Sequence, residues 1–396
     1  MKIFILDMIN PLLNNASAVH RWELIQNLAK IGHDIYVIAY ENVELKGVHT
    51  NLLQTKKGVF GKLLSRFRYI ELLFKLAKKH HVDILYTRNG LIGAMGYLIK
   101  RITGSKLVFE LNGISSNEWE LIKKQNKISV FKRIEMVLLI RIEKFALKKS
   151  DAIIAVTQGI KNYLVNHGIS EGKIAVIGNG VNIDLFKPME DSISLQRLRK
   201  KYSIEEDDHV ILFEGNLAPW QGVEYLIKSA PLIIEKVQKT KFLIVGDGIM
   251  RVELEKKVKK LNLEEKFAFT GYVPYEDVPK YINVSDICIS PEANDARNKT
   301  IGGSSLKLYE YLACEKAVVV GNIGGNKDVV IESKAGFVVD PRRTEDFAKA
   351  IVELLKNEKL RKTMGKNGRN AAVEKYSWEN VAEEVVKVLL KNIIEK

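Results

Sequence analysis

A short stretch beginning at residue 304 combines four side chains that could bind a charged sugar ligand. Ser304 and Ser305 offer hydroxyl and N–H groups at the start of a helix-like segment. Lys307 adds a cation that suits a diphosphate, and Glu310 lies one turn further along the same helical face. A carboxylate is a poor partner for phosphate, but it accepts hydrogen bonds from the two hydroxyls of a ribose. The series predicts a nucleoside diphosphate ligand; the alternative is a common surface Lys–Glu pair.

Three earlier loops, each after a strand-like run, could complete such a site. Residues 215–222 (GNLAPWQG) carry glycines that let the backbone approach a ligand, just before a helix whose N-terminus favours phosphate. Residues 246–251 (GDGIMR) match part of a dinucleotide fingerprint but lack its third glycine, which is more typical of a tight turn near a ligand. In residues 271–274 (GYVP), backbone groups could bind a flat base. Taken singly, each loop also fits a plain turn.

These loops belong to an alternation of β-branched runs and helical patterns along the whole chain. The runs are KIFILDM, DIYVIAY, DILYTR, KLVFEL, DAIIAV and KIAVIG, then HVILFEG, KFLIVGDG, FAFTG, DICIS, AVVVG and GFVVD. Such alternation predicts parallel sheets covered by helices. The pattern restarts after residues 180–192, where Pro188 and acidic residues indicate a linker. We therefore expect an α/β fold of two doubly wound, Rossmann-like domains, with ligands bound in a cleft beyond the carboxyl ends of the strands.

Length and composition agree with this organisation. A chain of 396 residues exceeds what one hydrophobic core usually supports, which predicts two domains. The two cysteines, Cys288 and Cys314, both lie in apolar segments, which excludes a disulfide framework and favours buried thiols in a reducing compartment. Asp7 and Pro11 interrupt the first apolar run early, so it is expected to be a strand and not a signal peptide. No uncharged apolar run is long enough to span a membrane.

The net charge of +14 indicates an anionic partner, either nucleic acid or a membrane surface. Residues 60–81 and 123–150 concentrate lysine and arginine between leucine, isoleucine and phenylalanine at helical spacing. That composition suits a helix lying in a bilayer interface. It equally suits an ordinary amphipathic helix packed on a sheet, and this second interpretation is favoured for residues 60–81.

Taken in order, the loops resemble the donor domain of the GT-B glycosyltransferases, most closely the large retaining family numbered four. The segments that carry the resemblance are SDAIIAVTQGIKNYL…KIAVIGNGVNIDLFKP (150–188), VILFEGNLAPWQGVEYLIKSAP, FLIVGDGIMRVELE, FTGYVPYEDVPKYINVSDICISP and SSLKLYEYLACEKAVVVGNIGGNKDVV. The resemblance covers nearly the whole chain. It implies a GT-B fold with an acceptor-side domain over residues 1–187 and a nucleotide-sugar donor domain over residues 188–376. The C-terminal helix, residues 377–396, is expected to complete the first domain.

The resemblance also implies roles for individual positions. Glu310 is expected to bind the ribose, Ser305–Lys307 the diphosphate, and Val273 the base through its backbone. The N-terminal loop Asn14–Ser17 is expected to face the phosphates from the other domain. The predicted donor-binding residues are Asn15, Ala16, Asn216, Gln221, Gly246, Gly248, Val273, Ser304, Ser305, Leu306, Lys307 and Glu310.

Several positions depart from the family pattern. The family pairs two glutamates eight positions apart, but Gly302 stands eight before Glu310, so the acid that normally contacts the donor sugar is missing. The usual Arg and Lys of the second-domain loop correspond to the uncharged Asn216 and Gln221, which leaves the phosphates to Lys307, backbone N–H groups, and Arg297 or Lys299. In the first domain, Asn112 stands where the family has histidine, and NNAS replaces the usual Gly-Gly turn. These departures indicate divergence with the activity retained.

The predicted catalytic residues are Lys307, Glu310, Asn112 and Glu110. Departure of a nucleoside diphosphate builds negative charge, which fixed donors such as Lys307 stabilise best where water is excluded. The resemblance implies that the acceptor hydroxyl attacks from the leaving-group face and gives its proton to the departing phosphate, so no protein nucleophile is needed. Asn112 is expected to hydrogen-bond the donor sugar. Glu110 is expected to orient Asn112 or the acceptor, or else to be a satisfied carboxylate at a strand end.

The overall prediction is a retaining hexosyltransferase. Its substrate is a UDP- or GDP-sugar, without a tightly bound cofactor or metal, and its acceptor is a lipid-linked or cell-surface glycan precursor. It is expected in the cytoplasm, and as a peripheral protein on the membrane if the basic helices bind lipid. Another GT-B enzyme, such as an epimerase, is the alternative. A nucleic-acid partner is not expected because no binding motif accompanies the charge. His20 is expected either to pack its helix or to face the cleft, and the oligomeric state is left open.

Overall fold

Two parallel sheets, each flanked by helices, form two compact units. The computed structural model describes residues 1–9, 15–42, 44–53, 59–115, 119, 129–190, 192–292, 298 and 301–394, with the backbone alone for 59–64, 66 and 392–394. The first unit comprises Met1–Gly178 and Trp378–Lys396, and the second comprises Asn179–Ser377. The predicted fold class of two doubly wound, Rossmann-like domains is confirmed.

The strands pair in parallel within each unit. Among the described residues, the strands of the first sheet are Lys2–Ile9 (β1), Asp34–Ala39 (β2), Val48–Leu52 (β3), Ile84–Thr87 (β4), Lys106–Leu111 (β5), Ala152–Ala155 (β6) and Ile174–Val176 (β7). Those of the second sheet are His209–Glu214 (β8), Thr240–Val245 (β9), Phe267–Gly271 (β10), Ile287–Ser290 (β11), Ala317–Gly321 (β12) and Gly336–Val339 (β13). Most of these strands are buried along their length, as expected for a parallel sheet covered on both faces.

The helices lie between the strands. In the described part of the chain they are Ala16–Lys30 (α1), Val59–His80 (α2), Gly90–Thr103 (α3), Val130–Lys149 (α4), Gln158–Asn166 (α5), Ile193–Lys201 (α6), Val223–Lys236 (α7), Arg251–Lys260 (α8), Val278–Val284 (α9), Leu306–Ala313 (α10), Asn326–Ser333 (α11), Thr344–Lys356 (α12), Glu358–Glu374 (α13) and Trp378–Ile394 (α14). None of the described helices is long and apolar enough to cross a bilayer.

The order of strands identifies where a ligand is expected in each unit. The first sheet has the order β3-β2-β1-β4-β5-β6-β7, and the second has the order β10-β9-β8-β11-β12-β13. The direction of winding reverses between β1 and β4, and again between β8 and β11. Loops diverge at such a switch point and open a crevice beyond the carboxyl ends of the two strands. A ligand is therefore expected to contact the residues that follow these four strands.

The segment predicted to be a linker is instead part of the second unit. Phe186 is fully buried in its core, and Val181 forms a bridge with Ser377. The Arg369 guanidinium donates to the carbonyl oxygens of Phe186, at 3.0 Å, and Ala313, at 2.9 Å. The division between the units consequently falls after Gly178, nine residues before the predicted boundary, because the acidic, proline-containing composition of this stretch concealed its buried apolar residues.

The last helix belongs to the first unit. Ala382, Val385 and Leu389 of α14 are buried in the core that β1, β2 and α1 also line. Trp378, at the start of α14, is 2% exposed and meets the His20 ring edge-on, with 4.9 Å between ring centroids.

The two basic stretches behave differently. On α2, Tyr69, Leu73 and Leu76 are buried against the sheet, as an ordinary amphipathic helix requires. On α4, buried residues begin only near its end, at Ala146 and Leu147, and its first turns are exposed. Residues 123–128 of the second stretch lie outside the described part of the chain.

Candidate functional site

The loops at the switch point of the second unit are held together by backbone contacts. The Leu217 N–H donates to the Asp247 carbonyl at 2.9 Å, and the Gly246 N–H donates to the Gly271 carbonyl at 3.0 Å. The Asn216 side chain lies against Gly248, where an added Cβ would come within 2.4 Å of Asn216 Oδ1. The three loops that the sequence singled out after β8, β9 and β10 are therefore neighbours.

The end of β11 also joins this edge. Gly222, at φ +73°, closes the loop after β8, and a Cβ there would lie 1.6 Å from the Pro291 carbonyl oxygen. Such an approach is possible only for glycine. The loops on both sides of the switch point thus pack directly on each other.

Lys307 extends from α10 into this cluster of loops and is 7% exposed. Its Nζ donates to Gln221 Oε1 at 2.7 Å and lies 4.2 Å from the centroid of the Phe213 ring. Two of the predicted donor-binding residues are thereby in direct contact. Phe213 adds a cation–π contact that sequence spacing did not indicate.

Three carboxylates interact with the Lys307 ammonium. Burial lowers the pKa of Lys307, while the charges of Glu214, Glu292 and Glu310 act in the opposite direction. Burial raises the pKa of Glu214, which follows Phe213 at the end of β8, and Lys307 opposes that rise. A buried ammonium held in place by neighbouring carboxylates can stabilise the negative charge of an anion that binds beside it.

Glu310 is 4% exposed, and its Oε1 accepts a hydrogen bond from the Tyr275 hydroxyl at 3.0 Å. Tyr275 lies two residues after Val273, in the loop after β10, so the residues predicted to bind ribose and base share one corner of the unit. Burial of both Lys307 and Glu310 excludes the alternative of a solvated surface pair.

The two serines before α10 are partly engaged. Ser304 Oγ shares a hydrogen bond with the Tyr309 hydroxyl at 2.9 Å and accepts from the Asn179 N–H at 3.1 Å. The Ser305 N–H donates to Asn326 Oδ1 at 2.9 Å. In the part of the chain that the structure describes, no hydrogen bond is found for the Ser305 hydroxyl or for the N–H groups of Leu306 and Lys307. The predicted anion donors therefore shift from the Ser304 hydroxyl toward the first turn of α10 itself.

The structure explains why no acid stands at Gly302. This residue has φ +68°, and a Cβ would lie 2.8 Å from Gly324 Cα and from the Gly325 N atom. Two glycine turns meet there, so a glutamate side chain has neither the backbone conformation nor the space that it needs.

A different acid, Glu292, lies on the same edge and was missed by the sequence analysis. It follows Pro291 at the end of β11, and it is 7% exposed. Its Oε1 accepts a hydrogen bond from Ser290 Oγ at 3.0 Å and another from the Asn326 side-chain amide. The signal that would have found it is its place directly beyond the carboxyl end of a strand next to the switch point.

The switch point of the first unit carries its own polar cluster. Asp7, on β1, accepts a hydrogen bond from the Arg88 N–H, after β4, at 2.7 Å, and burial raises the pKa of Asp7. Glu110, on β5, is 2% exposed; its Oε2 accepts from the Tyr86 hydroxyl at 2.7 Å, and its Oε1 lies 2.7 Å from His20 Nε2. The sequence did not indicate Asp7 or Arg88 as candidate functional residues.

The electrostatics of Glu110 follow from these partners. Burial acts to raise the pKa of Glu110, but the Arg88 charge together with the charge and hydrogen bond of His20 outweighs it and lowers the pKa to about 2. Glu110 thus contacts Tyr86, His20 and Arg88, and its described contacts do not include Asn112. His20, expected either to pack its helix or to face the cleft, is 4% exposed and lies against Glu110.

The other predicted residues of the first unit lie near the same edge. Asn112 directly follows β5, and its Oδ1 is buried without a hydrogen-bond partner in the described part of the chain. Asn15 caps α1 by accepting from the Ala18 N–H at 3.0 Å, and Asn15 and Ala16 are both exposed. Asn14, Arg297 and Lys299 lie outside the described residues.

Comparison with known proteins identifies both units. Residues 195–371 match the family model "Glycosyl transferases group 1", and residues 17–185 match "Glycosyltransferase Family 4". An uncharacterized glycosyltransferase of Methanocaldococcus jannaschii is 24% identical over 96% of this chain and 95% of its own length. The UDP-Gal:alpha-D-GlcNAc-diphosphoundecaprenol alpha-1,3-galactosyltransferase of Escherichia coli is 24% identical over 82% of this chain and 79% of its own length.

A solved structure supports the fold. Anabaena HepE in complex with UDP superposes with a TM-score of 0.74 at 18% identity, covering 98% of this chain and 99% of that one. This likeness concerns the fold, which is that of the GT-B glycosyltransferases. The comparisons give no support to the alternative of a sugar-nucleotide epimerase.

Proposed function

The chain belongs to the glycosyltransferases described by the two matched models, Glycosyl transferases group 1 and Glycosyltransferase Family 4, and from this premise we propose the reaction that this hexosyltransferase catalyses. It transfers a sugar from a UDP- or GDP-sugar to a hydroxyl of a lipid-linked or cell-surface glycan precursor, with retention at the anomeric carbon. The donor is a substrate, and no tightly bound cofactor takes part.

The observation that carries the proposal is the buried pair on α10. Lys307 and Glu310 lie one turn apart, both are less than a tenth exposed, and both reach the loops at the switch point. Lys307 and the open Leu306 N–H stabilise the charge that develops on the β-phosphate, because fixed donors act most strongly where water is excluded. Glu310, held by Tyr275, accepts the ribose hydroxyls.

The chemical step needs little else from the protein. The acceptor oxygen bonds to the anomeric carbon as the bond to the β-phosphate oxygen breaks, and the hydroxyl proton passes to the departing phosphate. No side chain has to act as a nucleophile. On the first unit, Asn112 is proposed to offer a sugar hydroxyl its Oδ1, which has no hydrogen-bond partner among the residues that the structure describes. Glu110 acts through His20 and Arg88, which it orients.

A membrane-linked acceptor has two independent supports. The name of the Escherichia coli relative specifies a diphosphoundecaprenol-linked sugar as the acceptor. In this chain, Phe131 is 87% exposed, Val130 68% and Ile134 54% on the first turns of α4, beside the exposed Lys132 and Arg133. Apolar side chains flanked by cations fit an anionic lipid surface. We propose that this face of α4 binds the membrane peripherally, on the cytoplasmic side.

Nucleotide binding tests the donor site. UDP and GDP are titrated against the protein by calorimetry, and we expect at least one to bind. Glu310→Gln removes the negative charge to which a ribose hydroxyl would donate. Nucleotide affinity should fall about 10- to 100-fold, the effect expected from losing a hydrogen bond to a charged group. Glu345→Gln, on the exposed face of α12, makes the same chemical change away from the site and should bind as the unmodified protein does.

Transfer itself is tested with UDP- and GDP-sugars and a lipid-linked acceptor, with NMR of the product to read its anomeric configuration. An inverted product would contradict retention. Interconversion of the donor without any acceptor would instead support an epimerase.

A further inference from the structure

Glu292 is a buried acid that the proposed reaction does not use. It lies beyond the carboxyl end of β11, beside the switch point, and only 7% of it is exposed. Its two oxygens have different surroundings. Oε1 accepts from the Ser290 hydroxyl and the Asn326 amide, whereas Oε2 is buried without any hydrogen-bond donor in the described part of the chain.

Asn326 links this acid to the start of α10. The amide of Asn326 donates to Glu292 Oε1, and the Asn326 Oδ1 accepts from the Ser305 N–H at 2.9 Å. Asn326 is 1% exposed, so this relay is shielded from water. Glu292 therefore fixes the residue that precedes Leu306 and Lys307, on which the diphosphate is proposed to bind.

Glu292 also shares the Lys307 charge with other acids. Lys307 of α10 is the cation that acts on Glu292, while Glu214 from β8 and Glu310 from α10 act on the same ammonium. Ser290 and Asn326, the other groups that contact Glu292, are uncharged. With all three acids ionised the cluster would be negative overall, and an arriving diphosphate would be repelled.

Burial raises the pKa of Glu292 to about 7, against the opposing hydrogen bonds and the Lys307 charge. Ionised and neutral forms are thus close in free energy near neutral pH, and a new negative charge nearby favours the neutral form. Oε2 is the oxygen that can take the proton, because none of the described residues directs a donor at it. The proton comes from solvent, and Oε1 remains free to accept from Asn326.

Building on the proposed function, we propose that Glu292 is a positioning residue of the donor site that takes up a proton when a nucleoside diphosphate binds beside Lys307. In the neutral form Glu292 leaves the Lys307 charge to the phosphate while the relay through Asn326 keeps α10 in place.

Calorimetric titration with UDP and GDP, in buffers of different ionisation enthalpy, measures the protons taken up on binding. At pH 8 the free carboxyl is mostly ionised, so uptake should approach about one proton per site, and at pH 7 about half as much. The Kd should rise about fivefold from pH 7 to pH 8, since binding is weakened as pH rises through the free-state pKa. Glu292→Gln keeps an acceptor for Asn326 and removes the titration, so its binding should lose both the uptake and this pH dependence.

The exposed Glu264 supplies the control, since Glu264→Gln should take up protons as the unmodified protein does. Protons bound or released by the nucleotide itself contribute equally to both proteins, so they cancel when the uptake of Glu292→Gln is subtracted from that of the unmodified protein. Binding without proton uptake by the unmodified protein would overturn this proposal alone, even if the variant failed to fold. The same holds if Glu292→Gln retained the uptake. If neither nucleotide bound to the unmodified protein, the proposed function would fail, and this inference with it.

Discussion

At the scale of single residues, the buried charged side chains of both candidate sites lie close to side chains of opposite charge. Lys307 meets Glu214, Glu292 and Glu310 in the second unit, and Glu110 meets His20 and Arg88 in the first. Removing a charge from water costs several kcal/mol, which paired charges and hydrogen bonds offset only where their geometry is good. Both clusters of charged residues lie at switch points, where a ligand is expected to bind. We therefore expect these buried charges to serve function.

Glu110 makes a testable contribution to stability. Its pKa is about 2 in the folded protein, below the 4.5 of a free glutamate. The unfolded chain therefore binds the proton first as pH falls. The stabilisation is fully present above about pH 4.5 and disappears as pH falls toward 2. Glu110→Gln should lower the free energy of unfolding of the first unit by about 3 kcal/mol at pH 7.

The free energy of unfolding of the first unit is measured in urea at pH 7, 4 and 3, with amide exchange of residues 1–178 as the probe. The difference between Glu110→Gln and the unmodified protein should shrink as pH falls. The exposed Glu135 provides the matched change, and Glu135→Gln should have no effect at any pH. A difference for Glu110→Gln that stayed constant with pH would mean that lost packing and not lost charge is responsible.

The sequence was sufficient to find Lys307, Gln221 and Glu310, because each lies in a loop or first helical turn after a recognisable strand. Glu292 was not predicted, because the family pattern places the second acid eight positions before Glu310, whereas Glu292 lies eighteen positions before it. Spacing along the chain does not reveal that a loop returns to the same edge. Burial and hydrogen bonding, which identify Glu292, depend on the folded packing.

At the scale of elements, each apolar run that predicted a strand forms one, and most of these strands are buried, while β3 was not predicted. Its sequence VHTNL has no apolar run, and most of its residues are partly or fully exposed. It pairs with β2 alone, at the edge of the sheet. A strand with one neighbour has less surface to bury, so its sequence carries little of the hydrophobic signal on which prediction relies.

The exposed face of α4 yields a prediction for membrane binding. Reversing three exposed cations with Lys132→Glu, Arg133→Glu and Arg141→Glu should reduce co-sedimentation with anionic vesicles strongly, because each basic residue near such a surface contributes about 1 kcal/mol. Nucleotide affinity should be unchanged.

The second unit supplies a control of equal charge, in which exposed Lys356, Lys359 and Lys366 of α12 and α13 are changed to glutamate. If both triple variants lose vesicle binding equally, net charge is responsible and α4 has no special part. Binding that survives the α4 changes would remove the membrane assignment.

At the scale of the whole molecule, the first unit is made from two separate parts of the chain. Leu389 of α14 is fully buried in the core of Met1–Gly178, while its neighbour Leu390 is 38% exposed. Leu389→Ala should destabilise the first unit by about 2–5 kcal/mol through lost burial and the cavity left behind. Leu390→Ala, an identical change, should cost well under half of that.

Amide exchange resolved by unit provides the measurement. Faster exchange with Leu389→Ala should appear in residues 1–178 and leave residues 179–377 unaffected. Equal acceleration in both would show that the units unfold as one cooperative body.

The return of α14 has a consequence for synthesis. The ribosome makes the first 178 residues, then the 199 residues of Asn179–Ser377, and only then the helix that covers α1. At about 5–20 residues per second, the apolar surface of the first unit that α14 later covers stays exposed for about 10 to 40 s during synthesis. The first unit is therefore completed only after the second unit has been made, and its uncovered apolar surface is where a chaperone would bind the growing chain.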